Sequence, residues 1–123
     1  IPLAHEMARL AGNQRYLLAR KGPKLYMRDI VYTKVNSITT ENQQILCISG
    51  DDAAAMKGKR VLIVDDVIST GESLAALTKL VEQVGGNIVG KMAVLAEGDA
   101  IKRDDIICLA PLPLFNPDGT VKN

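Results

Sequence analysis

The feature that most constrains the fold is an unbroken apolar run, VLIV, at residues 61–64. A strand that is apolar at every position is expected to be covered on both faces, which is typical of a parallel sheet. Apolar residues then recur at helical spacing and predict a helix over residues 72–84, which two glycines end. A buried strand followed directly by an amphipathic helix indicates an α/β fold with a mostly parallel sheet.

The rest of the chain alternates between strand-like and helix-like patterns. With 123 residues, the chain suits one domain, 1–123, and needs neither a disulfide nor a metal ion to fold. We therefore predict a single α/β domain with helices on both faces of a parallel sheet. The other predicted elements are helices at 2–11 and 51–57 and strands at 15–20, 44–49, 87–96 and 106–109.

The charge of the chain limits the partners that it can have. Its 15 basic and 14 acidic residues leave a net charge of +1, so no overall field attracts nucleic acid or an anionic membrane. No apolar run is long enough to cross a bilayer, and no secretory signal is visible. Cys47 and Cys108 lie in apolar surroundings, which favours buried free thiols over a disulfide. The sequence thus predicts a cytoplasmic protein with no membrane or nucleic-acid partner.

The apolar run ends on Asp65 and Asp66, and two like charges side by side require an explanation. Helix capping by Asp66 or Ser69 is one explanation, although it accounts for a single polar residue. A phosphorylated receiver domain has a similar acidic pair, but there it ends the first strand, whereas 60 residues precede the run here. The metal-side strand of a nucleoside triphosphatase would require G-x-x-x-x-G-K-[ST], which the chain lacks. A ligand site at the carboxyl end of the strand is the fourth explanation.

Residues 61–73, VLIVDDVISTGES, resemble the phosphoribosyl-pyrophosphate signature of the type I phosphoribosyltransferases at all 13 positions. The resemblance implies the parallel-sheet fold of that family. It implies that Asp65 and Asp66 accept hydrogen bonds from the ribose hydroxyls and stabilise the positive charge that develops on the ribose carbon. The strand-to-helix turn would hold the 5′-phosphate through backbone N–H groups and hydroxyls. The residues of this turn are Ser69, Thr70, Gly71, Glu72 and Ser73.

Residues 17–27, LLARKGPKLYM, resemble the pyrophosphate loop of the purine members of this family. The resemblance implies that Arg20, Lys21 and Lys24 contact pyrophosphate, whereas a solvated charge cluster is the ordinary role of such residues on a turn. It also implies a cis peptide bond near residues 20 and 21. Residues 25–44 would be the flexible loop that closes over the substrate and excludes water.

The resemblance further implies that Mg²⁺ is the cofactor. The substrate would hold the ion for the most part, near Asp65 and Asp66, with no direct protein ligand. Phosphoribosyl pyrophosphate and a purine base would be the partners, and a homodimer is expected on the resemblance alone.

The chain departs from the family pattern at several positions. Ser69 stands where hypoxanthine–guanine members carry an acid, and Glu72 stands where many members have glycine. Ala96, followed by Glu97, stands where adenine- and xanthine-type members usually carry an acid. The first sheet strand of the family and the hood that reads the base have no counterpart before Ile1, so we expect both to be missing.

Together these resemblances predict an enzyme, a purine phosphoribosyltransferase. It would transfer ribose 5-phosphate from phosphoribosyl pyrophosphate to a purine and release pyrophosphate. Adenine is favoured as the acceptor, since residues 109–115, LAPLPLF, resemble the end of adenine-type members, and xanthine follows. Two alternatives are a phosphoribosyl-pyrophosphate-sensing transcription regulator of the same family and an orotate-type phosphoribosyltransferase.

Overall fold

The computed structural model describes residues 1–35 and 44–122. Within these ranges, no helix is long and apolar enough to cross a bilayer. The elements in chain order are α1 (Pro2–Leu10), β1 (Val31–Val35), β2 (Gln44–Ile48), α2 (Gly50–Met56), β3 (Arg60–Ile68), α3 (Glu72–Gln83), β4 (Asn87–Glu97), a short 3-10 helix (Gly98–Lys102) and β5 (Ile107–Leu112).

The strands form two sheets. β3, β4 and β5 lie side by side in that order and run parallel, with Asp65 opposite Ala93 and Ala93 opposite Cys108. β1 and β2 form a separate antiparallel pair, in which Thr33 lies opposite Leu46. The predicted α/β architecture with a parallel sheet is confirmed.

One hydrophobic cluster contains residues of both sheets, and α3 contributes more residues to it than any other helix. α3 contacts β1 and β2 as well as β3 and β4. Leu80 is fully buried, and Leu74 and Val81 are nearly so. The apolar stripe that predicted this helix is therefore the face that it packs against both sheets.

The two faces of β3 are covered to different extents. Ile63 lies in the core, whereas the side chain of its neighbour Leu62, which points to the other face, is 42% exposed. Helix α1 also contacts β3. The apolar run at residues 61–64 is thus buried on one face and only partly covered on the other.

Two predictions about the strands require correction. Residues 15–20 do not form a strand, because only Arg20 pairs, through two backbone hydrogen bonds of 2.8 Å with Cys47. Leu17 and Ala19 nevertheless pack against the core, so the apolar pattern there indicated burial rather than a sheet. The third strand does not end before the acidic pair, since β3 continues through both aspartates to Ile68.

The region before β2 was predicted as a basic turn and a flexible loop. Residues 36–43 of the predicted loop lie outside the described residues. Before them, the N–H of Met27 donates to the Lys24 carbonyl at 3.0 Å and closes a turn, on which Leu25 and Tyr26 are exposed. The expected cis peptide bond is wrong, since every peptide bond of the described residues is trans.

Candidate functional site

Asp65 and Asp66 lie side by side near the carboxyl end of β3. Asp65 shares the face of buried Ile63 and is partly buried, whereas Asp66 points the other way and is exposed. The N–H of Asp66 donates to Asp65 Oδ1 at 2.8 Å, and the N–H of Val67 donates to Asp66 Oδ1 at 2.8 Å. The second oxygen of each carboxylate accepts no hydrogen bond from the residues that the structure describes, so both are available to a ligand.

The two carboxyl groups differ in acidity. Burial raises the pKa of Asp65 above its ordinary value, and the interaction with Asp66 raises it further. The pKa of Asp66 is lowered by the interaction with the neighbouring Asp65 carboxyl group and by the hydrogen bond that its Oδ1 accepts from the N–H of Val67. The positive charge of Lys21 opposes the rise at Asp65, which places Lys21 within electrostatic range of the pair. As the pH rises, the pair therefore loses its first proton mainly from Asp66.

The turn at residues 69–73 connects β3 to α3. Gly71 is the N-cap of α3 and has a left-handed backbone with φ +87°, a conformation that glycine adopts without strain. Gly71 has no side chain that caps the helix, and Thr70 Oγ1 accepts only a long hydrogen bond of 3.4 Å from the N–H of Glu72. The amino end of α3 therefore offers backbone donors and a positive dipole end beside the acidic pair.

Ser69 makes a contact that joins this turn to the next strand. Its hydroxyl donates to Glu97 Oε1 at 2.7 Å, and Glu97 is the last residue of β4. Ile68 lies opposite Ala96 in the parallel ladder, so the residues that follow, Ser69 and Glu97, become neighbours. Because the hydroxyl proton of Ser69 is directed at a carboxylate, Ser69 offers a phosphate its backbone N–H rather than its side chain. Glu97 thus brings an additional carboxylate to the turn.

Arg103 also contacts the turn, although it lies far outside the motif at residues 61–73. A Cβ atom built on Gly71 would come within 2.6 Å of Arg103 Nη1, so the guanidinium lies against the backbone of the turn. Asp105 holds this guanidinium at two points, Nε to Oδ1 at 2.8 Å and Nη2 to Oδ2 at 2.7 Å. The hydrogen bonds from Arg103 lower the pKa of Asp105 to about 2.

Arg103 and Glu97 could have been found by combining the predicted parallel sheet with the polar residues that follow its strands. Parallel strands end at the same edge of a sheet, so polar residues that follow β3 and β4 are expected to meet there. Both residues belong to the carboxyl end of β4 or to the connection after it. The residue-by-residue match at 61–73 points to one strand and its turn, and therefore says nothing about them.

The three predicted pyrophosphate residues are placed differently. Lys21 is exposed and acts electrostatically on Asp65, as described above. Arg20 is partly buried and its backbone pairs with Cys47. Lys24 is exposed on the turn that Met27 closes. Among the described residues, none of the three forms a hydrogen bond or an ion pair with the acidic pair, and Lys21 acts on Asp65 through its charge alone.

The acidic pair is also the place to consider a divalent cation. No group of three or more acidic, histidine or cysteine side chains that could hold a metal ion occurs in the described ranges. Asp65 and Asp66 provide carboxylate oxygens, which Mg²⁺ prefers as ligands. Two carboxylates alone do not complete six-coordination, so an ion here would need oxygens from water or from a substrate.

Comparison with known proteins agrees with the fold. The family model described as "Phosphoribosyl transferase domain" matches residues 1–111. A xanthine phosphoribosyltransferase of Exiguobacterium sp. is 31% identical over 93 residues, which are 75% of this chain and 47% of that protein. An adenine phosphoribosyltransferase of Corynebacterium jeikeium is 38% identical over 71 residues, 58% of this chain and 33% of that protein.

A solved structure shows the same fold. The adenine phosphoribosyltransferase of Thermoanaerobacter pseudethanolicus superposes with a TM-score of 0.71 at 25% identity, over 88% of this chain and 62% of that one. The chain spans less than half the length of the two curated relatives. Since the family model covers nearly the whole chain, including the acidic pair and the turn after it, the chain belongs to the phosphoribosyl transferase domain family.

Proposed function

We propose that the protein is a purine phosphoribosyltransferase, with adenine as the favoured acceptor and xanthine as the second. One observation carries the proposal: a carboxylate pair lies directly before a helix amino end whose N-cap, Gly71, has no capping side chain. This arrangement matches a ligand that has sugar hydroxyls next to a phosphate. The relatives named above, which are adenine and xanthine phosphoribosyltransferases, support the choice of acceptor.

In the proposed reaction, the 69–73 turn binds the 5′-phosphate of phosphoribosyl pyrophosphate. Backbone N–H groups of the turn and the positive end of the α3 dipole attract the phosphate. Asp65 and Asp66 accept hydrogen bonds from the ribose hydroxyls and stabilise the positive charge that grows on the ribose carbon as pyrophosphate leaves. Since the leaving group departs early, positioning and electrostatics provide most of the rate enhancement.

The remaining parts of the proposal concern pyrophosphate, metal and surroundings. Lys21 binds the leaving pyrophosphate, which the effect of its charge on the pKa of Asp65 supports, and Arg20 and Lys24 join it. Mg²⁺ enters with the substrate, which provides most of its ligands and reduces the negative charge on the pyrophosphate. The loop over residues 25–44 closes on the bound substrate.

The surroundings of the protein are also part of the proposal. One free thiol in the core, Cys47, and one partly buried thiol, Cys108, suit a reducing cytoplasm. The homodimer is proposed on the family resemblance, and the exposed side chains of Ile107 and Leu109 on β5 are compatible with a partner at that edge. Sedimentation analysis measures the oligomeric state directly.

The first test is a product assay. The protein is incubated with magnesium, phosphoribosyl pyrophosphate and, separately, adenine, hypoxanthine, guanine, xanthine and orotate, and chromatography identifies the nucleotide formed. We expect adenosine monophosphate as the main product. Asp65→Asn with Asp66→Asn is expected to lower turnover by roughly 10²–10³-fold, because charge stabilisation in the transition state is lost.

A matched control is available elsewhere in the chain. Asp51 and Asp52 form a second acidic pair, in the first turn of α2. Asp51→Asn with Asp52→Asn makes the same change in charge and is expected to leave turnover unchanged. Equal rates for the site variant and the wild type would refute the assigned role of Asp65 and Asp66. Donor binding without any nucleotide product would favour the sensing regulator, and orotidine monophosphate would favour the orotate-type enzyme.

A further inference from the structure

The position of Arg103 relative to the turn is the starting observation. Gly71 is the N-cap of α3, and a Cβ atom added there would come within 2.6 Å of Arg103 Nη1. The guanidinium therefore lies directly on the backbone that leads into the helix. It comes from the connection between β4 and β5, which begins at the edge of the sheet where β3 also ends.

The orientation of the guanidinium is fixed by Asp105. Nε and Nη2 donate to the two carboxylate oxygens at 2.8 and 2.7 Å, which is a bidentate pair. Nη1 makes no hydrogen bond with the described residues and is the nitrogen nearest to Gly71. The side chain of Arg103 is 34% exposed, so it is partly shielded from water. The Nη1 group of Arg103 thus lies at the turn, and its N–H groups are free to donate to a ligand.

The side chains at and around the turn include carboxylates, which would weaken the binding of an anion. Residues 69–73, STGES, include no basic residue and one acid, Glu72. Glu97 adds a second carboxylate through its hydrogen bond with Ser69. A phosphate dianion that binds to this backbone therefore has carboxylates in its neighbourhood. Arg103 is a basic side chain that lies against this turn.

We propose that Arg103 binds the 5′-phosphate of the donor through Nη1 and makes the site selective for a phosphorylated sugar. A guanidinium has five N–H donors in a fixed plane, so it pairs with Asp105 along one edge and with a phosphate at the other. Asp105 and the nearby Lys91, whose Nζ lies 3.8 Å from Asp105 Oδ2, hold this geometry in place. The inference rests on the proposed function, because it assigns a residue to the same site.

Calorimetry with two halves of the donor tests the inference. The affinity for ribose 5-phosphate measures binding at the 69–73 turn, and the affinity for magnesium pyrophosphate measures binding at the other half of the site. Arg103→Ala is expected to weaken the binding of ribose 5-phosphate by ~10–100-fold, the size of a charge-assisted hydrogen bond. Its binding of pyrophosphate is expected to stay within about twofold, whereas Lys21→Ala should show the reverse pattern. In steady-state assays, Arg103→Ala should raise KM for the donor more than it lowers kcat.

Two further variants separate binding from side effects. Arg103→Ala leaves the Asp105 carboxylate with only the longer ion pair to Lys91, so Arg103→Ala with Asp105→Asn removes that negative charge too. We expect the double variant to remain weak for ribose 5-phosphate, and recovery of wild-type affinity would overturn the inference. Lys102→Ala is the matched control, because Lys102 is adjacent, 78% exposed and paired with Asp99. It should bind ribose 5-phosphate as the wild type does.

The outcomes distinguish the inference from the function on which it rests. If the wild-type protein binds neither ribose 5-phosphate nor phosphoribosyl pyrophosphate, the proposed function fails. If the wild type binds both and Arg103→Ala binds ribose 5-phosphate equally well, only the role of Arg103 fails. Near-equal losses for ribose 5-phosphate and pyrophosphate in Arg103→Ala would indicate general damage to the fold and would also overturn the assignment.

Discussion

At the scale of single residues, the acidic pair combines a possible function with a cost in stability. Asp65 lies on the core face of β3, where burial raises its pKa, while its exposed neighbour Asp66 has a lowered pKa. A carboxylate whose ionised form is disfavoured in the folded state destabilises that state at neutral pH. Such residues are retained where a binding site needs them, which is a common trade of stability for activity.

This difference predicts opposite effects of two neighbouring substitutions. Because the folded-state pKa of Asp65 lies above its ordinary value, the free energy of unfolding falls as the pH rises through the shifted pKa. Asp65→Asn is therefore expected to raise the melting temperature at pH 7, and the gain should vanish at pH values below 3.8, where the carboxyl is protonated in both states. Asp66→Asn should lower the melting temperature at pH 7, since the lowered pKa of Asp66 stabilises the folded state there. Thermal unfolding followed by circular dichroism at both pH values checks this, and a lower melting temperature for Asp65→Asn at pH 7 would contradict it.

The residues of the site could be predicted from sequence only where they are local in the chain. Asp65, Asp66 and Gly71 belong to one continuous stretch, whose order of residues matches its chemistry. Glu97 and Arg103 reach the same turn through the register of β4 and the connection after it. A contact that depends on the register of a strand cannot be read from a short motif.

At the scale of elements, the connection between β3 and α3 has a glycine for two physical reasons. Gly71 has φ +87°, and its α-carbon lies against Arg103. Gly58 has φ +71°, and a Cβ atom added there would meet nothing within 4 Å, so Gly58 isolates the effect of the backbone conformation. The two glycines therefore form a natural comparison.

We expect Gly58→Ala to lower the free energy of unfolding by about 1–2 kcal/mol, the cost of a left-handed alanine. Gly71→Ala should cost more, because the new methyl group must also move Arg103 away from Asp105. In an Arg103→Ala background, the cost of Gly71→Ala should fall to that of Gly58→Ala. Denaturant unfolding of the wild type, Gly71→Ala, Arg103→Ala and the double variant forms a double-mutant cycle, and Gly58→Ala gives the reference cost. A cost of Gly71→Ala that is unchanged by Arg103→Ala would show that the two residues do not press on each other.

The elements themselves were predicted where the pattern was periodic. The helix predicted over residues 72–84 is α3, Glu72–Gln83, because its apolar stripe is the face that packs. The strand at 44–49 is β2, Gln44–Ile48. β3 is longer than its apolar run, since backbone pairing with β4 continues past the aspartates to Ile68. Hydropathy reports burial, whereas the ladder of backbone hydrogen bonds determines where a strand ends.

At the scale of the whole molecule, α3 is the element that holds the two sheets together. It contacts all of the first four strands, and Leu80 at its centre is fully buried. Leu80→Ala is expected to lower the free energy of unfolding by about 2–5 kcal/mol, because it leaves a cavity between the sheets. Its neighbour Lys79 is exposed, so Lys79→Ala should change stability by less than about 0.5 kcal/mol. Denaturant unfolding measures both, and similar losses would show that α3 does not carry the core.

The bare amino end of α3 has a consequence for the lifetime of the protein in a cell. An anion that settles there completes the first turn of the helix, and that helix joins both sheets. Binding to the folded form alone shifts the balance between folded and unfolded chains, so occupied molecules open less often. Proteases cut the open form, and the amount of protein that survives turnover therefore follows the supply of its ligand. Binding at the amino end of α3 would in this way link the cellular amount of the protein to the concentration of its ligand.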